Sequence, residues 1–163
     1  MTKKEISTAV ASEPKLGFRA ADYNAVATEA ILLTIRLISQ RFDLNMECSG
    51  NSSDWKLSYG RRVMSCTFDR DAKQVAAIIQ FEVTAREGRK KALHCTADYG
   101  IMYEVPADAE EEAVKGFCKN VGRFAIYPYF RSLFAQLAWN AELMLPPLPS
   151  IASTAHIPPK KVT

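Results

Sequence analysis

From Val75 to Ala85 the chain alternates without a break: Val75, Ala77, Ile79, Phe81, Val83 and Ala85 stand against Ala76, Ile78, Gln80, Glu82 and Thr84. A period of two places successive side chains on opposite faces, so this run predicts a strand with one face on a core. Arg86-Glu87-Gly88-Arg89 has the composition of a hairpin turn. A second alternating run returns from it, with Leu93, Cys95, Ala97, Tyr99, Ile101 and Tyr103 on one face and His94, Thr96, Asp98 and Glu104 on the other. Two long antiparallel strands are thereby predicted. Upstream, Lys56 to Phe68 reads as a strand with Gly60 as a bulge, closed by the polar turn Asp69-Arg70-Asp71. Ile31 to Leu44 reads as the first strand, with Ile31, Leu33, Ile35 and Leu37 sharing a face, although a helix continuing from Ala20 would accept the same residues. Between them CSGNSSD, residues 48 to 54, is a loop.

Helical periodicity occupies the rest. Ala20 to Ala30 predicts a short helix with Asp22 as its cap. After Pro106, Asp108 and Glu110 to Glu112 put negative charge where a helix dipole favours it, predicting a short helix to about Lys115. Past Gly116 and Gly122, the main helix is expected from Pro128, whose ring suits a first turn, to Ala141. Phe130, Phe134, Leu137 and Ala141 form its apolar face and Ser132, Gln136 and Asn140 its polar stripe. Pro146, Pro147 and Pro149 forbid further helix, so LMLPPLP should run extended and lie against something. Residues 1–19 read as a loose arm, 20–150 as the folded domain and 151–163 as a loose tail. Strands first and helices afterwards predict an α+β domain, with helix covering one face of an antiparallel sheet.

Composition narrows the function classes. A chain of 163 residues, 48% hydrophobic and 24% charged, is ordinary for one domain with a sizeable core. No apolar run approaches the ~20 residues of a membrane span, and MTKKEISTAV lacks the apolar centre of a secretion signal, so a cytoplasmic protein without membrane insertion is expected. Cys48, Cys66, Cys95 and Cys118 form no CxxC and read as reduced thiols; with only His94 and His156 beside them, no metal site is expected. HExxH, GxSxG, GxGxxG and P-loop patterns are absent, so neither an enzyme nor a cofactor is expected. Arg86, Arg89, Lys90 and Lys91, with Arg61 and Arg62 near them, make the best case for nucleic acid. At a net charge of +3 and with no interleaved aromatics, a solvated turn explains them better.

The residues that open the main helix, Tyr127-Pro128-Tyr129-Phe130-Arg131, followed by the Leu and Pro run, resemble the signature of the SecB-type protein-export chaperones and their SecB-like relatives. Val83-Thr84-Ala85, Glu87-Gly88, Leu93-His94-Cys95 and Gly100-Ile101 fall at spacings similar to two paired strands of that family, and the resemblance covers roughly Ile31 to Ser150. It implies four strands in Greek-key order, a long crossover loop between the first two, a long C-terminal helix on one face, and a tetramer built as a dimer of dimers. Asp54-Trp55 resembles the family's crossover-loop pair, which helps line a groove for unfolded chains. Trp55, Leu57, Tyr59, Tyr129, Leu133, Trp139 and Leu143 are the client-binding residues so implied, with Trp55 expected at the groove mouth, outside the core.

Two departures qualify the resemblance. Family members are acidic and dock the translocase motor SecA on a negative sheet surface, whereas this chain has a pI near 8.7 and carries Lys90 and Lys91 on its fourth strand, which puts SecA docking in question. The glycine that precedes the next aromatic in SecB is replaced here by Ala141 and Glu142. The reading that follows is an ATP-independent holdase for unfolded polypeptides, acting on preproteins of the Sec export pathway, or alternatively on an antitoxin of a toxin-antitoxin system. A carrier of a small hydrophobic ligand and a basic nucleic-acid adaptor are the rivals from other classes.

Overall fold

The structure, a computed structural model, describes residues 18–48 and 50–150. Nearly all of the expected N-terminal arm and the whole of the expected C-terminal tail lie outside the described residues. Within them the elements are α1 (Ala20–Glu29), β1 (Ile31–Leu44), a single 3-10 turn (Ser52–Asp54), β2 (Lys56–Asp69), β3 (Gln74–Glu87), β4 (Lys90–Glu104) and α2 (Glu111–Asn140). The strands form one antiparallel sheet in the order β1-β4-β3-β2. Three hairpin-linked strands with the first returning beside the last make a Greek key. The link from β1 to β2 crosses the whole sheet, tied to its end by Asn45 N–H on the Ala92 carbonyl (2.8 Å) and Gly50 N–H on Glu87 Oε1 (2.7 Å).

The central hairpin follows the alternation of its sequence. Val75, Ala77, Ile79, Phe81, Val83 and Ala85 of β3 and Leu93, Cys95, Ala97, Tyr99, Ile101 and Tyr103 of β4 are all buried, facing α2. Directly opposed residues share a face, and each large apolar side chain buried here contributes about 1.5–3 kcal/mol. The edge strands depart from simple alternation. In β1 the pairing jumps from Leu32 to Thr34 and from Leu37 to Ser39. These bulges put Leu32, Ile35 and Leu37 on the helix side and Ile31 on the other, so the single face expected of Ile31, Leu33, Ile35 and Leu37 is split. In β2 the bulge falls at Met64, between Val63 and Ser65, whereas Gly60 pairs regularly with Glu82.

The two helices expected after Pro106 are one. α2 starts at Glu111 with Glu110 as N-cap and runs through Pro128, which stands mid-helix instead of in a first turn. A proline there removes one hydrogen bond, the one that the Phe124 carbonyl would accept, at a cost of about 3 kcal/mol. Burial outweighs it, because Val114, Cys118, Gly122 and Ile126 before the proline and Phe130, Phe134 and Ala138 after it lie on one buried stripe four residues apart. Gly116 and Gly122 are close approaches and not breaks. A Cβ on Gly122 would stand 3.3 Å from Ile101 Cγ2, and one on Gly116 would fall 2.4 Å from the Phe18 ring. At α1 the helix begins where expected, but Asp22 lies inside the first turn and no side chain caps it. Among the described residues no helix is long and apolar enough to cross a membrane.

α2 ends in a Schellman motif. Leu143 N–H bonds the Ala138 carbonyl (3.0 Å), Glu142 N–H bonds the Trp139 carbonyl (3.0 Å), and Glu142 takes the left-handed conformation at φ 55. The chain thereby turns back at Glu142, in a backbone conformation that suits glycine. A side chain in that conformation costs about 1–2 kcal/mol, part of which glycine returns as unfolded-state entropy. Glu142→Gly should therefore raise stability by roughly 0.5–1 kcal/mol, read as a higher urea midpoint at unchanged m-value.

Candidate functional site

A helix is too narrow to cover four strands, and α2 packs chiefly on β2, β3 and β4, away from β1. On its own side of the sheet the edge strands stay open: Leu32 and Leu37 of β1 are exposed, and so are Tyr59 (53%) and Val63 of β2. The half of α2 beyond Pro128 adds exposed Tyr129 and Trp139.

The segment after the Schellman turn returns along α2 and builds a groove with it. Leu148 inserts into the core at 2% exposure, Tyr127 Oη–H donates to the Pro149 carbonyl, and Arg131 Nη1 reaches Ser150 Oγ at 3.5 Å. Burial pushes the Tyr127 hydroxyl pKa up, so at neutral pH it is the donor this contact requires. Met144 N–H donates to Ser52 Oγ (2.8 Å), tying the returning segment to the crossover loop. Between helix and segment lie two depressions, about 550 Å³ beside Phe124, Tyr127 and Pro128 and about 200 Å³ beside Phe134, Trp139 and Leu143. Arg131, Ala135 and Pro147 line both, so the two adjoin along the helix as one interrupted channel.

The residues singled out from the sequence divide on this geometry. Trp139, 79% exposed, and Leu143 come together in the smaller depression. Tyr59 faces the helix side from β2 close to Tyr127, while Leu57 and Leu133 are half-buried against the core. Tyr129 is exposed on α2 but lines neither depression. Trp55 corrects the expectation made for it: it is 6% exposed and packed within the core cluster, its indole N–H without an acceptor. The 3-10 turn directs it inward, because Asn51 caps that turn through Ser53 N–H and Trp55 N–H closes it on the Ser52 carbonyl. Sequence reasoning missed Phe124, Ala135 and Pro147 as lining residues. Pro147 had a usable signal in the demand that the Leu and Pro run lie against something.

The other clusters resolve simply. Glu111 pairs with Lys115 at 2.5 Å one helical turn on, which holds the Glu111 carboxyl below its ordinary range. At the β3–β4 turn the strand opposite Arg86 carries Lys56; Arg61 and Arg62, expected near the tip, pair with Phe81 and Gln80 some five rungs away. That is about 17 Å along the sheet. His94 Nε2 meets Glu82 Oε1 at 2.8 Å on the open face, away from Cys95. Among the described residues no group of three or more metal-ligating side chains converges.

No family model matches the chain, and no curated protein matches it by sequence. Among solved structures it is similar to the SecB-like chaperone of Mycobacterium tuberculosis in complex with a ChAD peptide from the HigA1 antitoxin. The TM-score is 0.66 at 18% identity, covering 82% of this chain and 97% of that one. A protein of unknown function from Streptococcus agalactiae aligns at a TM-score of 0.36 and 9% identity, over 77% of this chain and 98% of that one. The fold is thus the SecB-like α+β fold, a four-stranded antiparallel sheet with a long C-terminal helix.

The two tryptophans should respond oppositely to truncation. Trp55→Ala should cost about 3–5 kcal/mol, as for a buried aromatic, and Trp139→Ala less than about 1 kcal/mol. Urea unfolding of both variants checks the pair; a Trp55→Ala midpoint near wild type would place that side chain outside the core.

Proposed function

We propose that the protein is an ATP-independent holdase chaperone of the SecB-like kind, which holds unfolded polypeptide segments along the α2 channel and the neighbouring apolar edges. The observation that carries this reading is the exposed Trp139 beside Leu143 in a channel with apolar walls, on a chain whose edge strands also expose apolar side chains. An unfolded chain offers apolar side chains and unpaired backbone, which such a surface recognises without sequence choice. At about 25 cal/mol per Å² of apolar area each segment binds weakly, and several held at once bind tightly. In this reading Trp139 and Leu143 touch the client, Tyr59, Tyr129, Leu57 and Leu133 extend the surface, and Trp55 supports it from beneath. No catalytic step, cofactor or nucleic-acid contact enters.

An antitoxin client is favoured over preproteins handed to SecA. The SecB-like chaperone of similar fold holds an antitoxin peptide, and the net charge of +3 suits an acidic motor-docking surface poorly. A small-ligand carrier is disfavoured because the two adjoining depressions lie open to solvent along the helix, whereas such a carrier encloses its ligand. The exposed apolar residues Ile31, Leu32, Leu33, Leu37 and Ile38 of β1 support self-association of the cytoplasmic protein, as a homotetramer in line with the resemblance.

The protein should suppress aggregation of a chemically unfolded client at near-stoichiometric ratio without ATP. Trp139→Ala should weaken binding of an unfolded client by roughly tenfold while sparing the fold. Equal binding of a folded client, or a requirement for ATP, overturns the holdase reading. Light scattering at micromolar concentration should give four times the 18.2 kDa chain mass, and a monomeric mass overturns the tetramer.

A further inference from the structure

Cys66 and Cys118 are 52 positions apart in sequence (118 − 66), and the fold sets Cys66 of β2 against the turn of α2 that leads to Cys118, so that each thiol influences the other's proton. Cys66 sits on the helix side of edge strand β2, opposite Ala77 and two residues beyond the bulge at Met64. Its Sγ also lies 4.0 Å from the Lys115 carbonyl of α2. Cys118 faces it from α2, fully buried, while Cys66 is half-exposed. We propose that Cys66 and Cys118 form a peroxide-driven, reversible disulfide that fastens edge strand β2 to the first half of α2, with half-exposed Cys66 as the attacking thiol and buried Cys118 as the resolving one.

The surroundings of the pair divide the two roles. The Cys118 S–H can donate to a Cys66 thiolate, and the ammonium groups of Lys119 and Lys115 favour negative charge there; together they hold the Cys66 pKa below the ordinary thiol range. The hydrogen bond to Cys66, then burial and the Cys66 charge, push Cys118 the other way, so the pair gives up one proton easily and the second reluctantly. Glu112 opposes the lysines, and Glu111 draws Lys115 into an ion pair at 2.5 Å; the thiol donor is the larger influence on Cys66. Cys95 lacks any such partner, and burial alone raises it to about 11.

The chemistry balances with hydrogen peroxide as oxidant. The Cys66 thiolate attacks one peroxide oxygen, the O–O bond breaks, hydroxide leaves and becomes water on protonation, and Cys66 becomes a sulfenic acid. Cys118 sulfur then attacks Cys66 sulfur, the S–O bond breaks, and a second water leaves with the Cys118 proton. Two thiols are oxidised by two electrons and one peroxide is reduced to two waters. Closure brings the sulfurs to about 2.05 Å, the Cys66 and Cys118 side chains rotating toward each other where β2 packs on α2. The bridge closes a long loop and restricts the unfolded chain, so the oxidised protein should melt roughly 5–10 °C higher.

Stoichiometric hydrogen peroxide applied to the full chain should remove two of the four free thiols and two hydrogens of mass, and dithiothreitol should reverse both changes. Tryptic mapping should recover the Cys66 and Cys118 peptides joined. The rate should rise with pH and level off below the range of an ordinary thiol. Cys118→Ser should accumulate a sulfenic acid at Cys66 that dimedone labels; if this variant does not fold, mapping of the wild-type chain decides alone. Recovery of Cys66 and Cys118 as free thiols while Cys48 oxidises, or of Cys66 joined to Cys48 or to another chain, overturns the proposal.

Discussion

The mismatch between one helix and four strands governs this molecule. An α-helix with its side chains is about 10–12 Å across, while four strands at about 4.8 Å spacing set the outer pair some 14 Å apart before any side chain is counted. α2 therefore seals the β3–β4 hairpin, where Phe81 stacks on Phe130 at 5.2 Å and Tyr103 meets Phe117 edge-on at 5.1 Å, reaches β2 over part of its length, and leaves apolar side chains exposed on the helix side of β1 and β2. Along the strands there is no such shortfall. A helix of 30 residues extends about 45 Å, close to the reach of the 14- and 15-residue strands beneath it. Length is matched and width is not, which is why the exposed apolar side chains run as rows beside the helix.

That geometry also explains why Pro128 is tolerated. The second half of the helix carries Phe130 and Phe134 onto the Phe81 end of the hairpin, and only a continuous helix keeps their stripe in line with Val114, Cys118 and Ile126. Breaking the helix at the proline would restore one carbonyl's solvation and lose several buried side chains. Pro128 is itself exposed, so its ring displaces no core residue.

The strands were the legible part of the sequence because alternation is a local signal, and the β3 and β4 core faces match it residue for residue. The bulges at Leu33, Ile38 and Met64 were not legible, since an edge strand exposed on both faces has no apolar period to interrupt. Gly116, Gly122 and Pro128 misled for a common reason. Each has a poor intrinsic helix propensity, and each is held in helix by tertiary contacts from Phe18, Ile101 and the Phe81 cluster that lie far away in sequence. The candidate site was half legible: Trp139 and Leu143 meet in the channel, but the inward turn of Trp55 depends on the 3-10 turn that Asn51 caps, which composition alone read as plain loop.

The returning segment unites these observations, because it depends on both ends of the mismatch. Its Leu148 anchor needs the core that α2 makes, and its outer wall, from Leu143 to Pro147, stands where α2 leaves space. With three prolines it has few backbone donors to satisfy, so it can follow the helix without joining a sheet, and Met144 N–H finds Ser52 Oγ in the crossover loop. A channel wall of this kind is preorganised by proline and fixed at a few points: the Schellman turn, Ser52, Leu148 and Tyr127. Between those points its apolar side chains remain open to whatever extended chain can match their spacing.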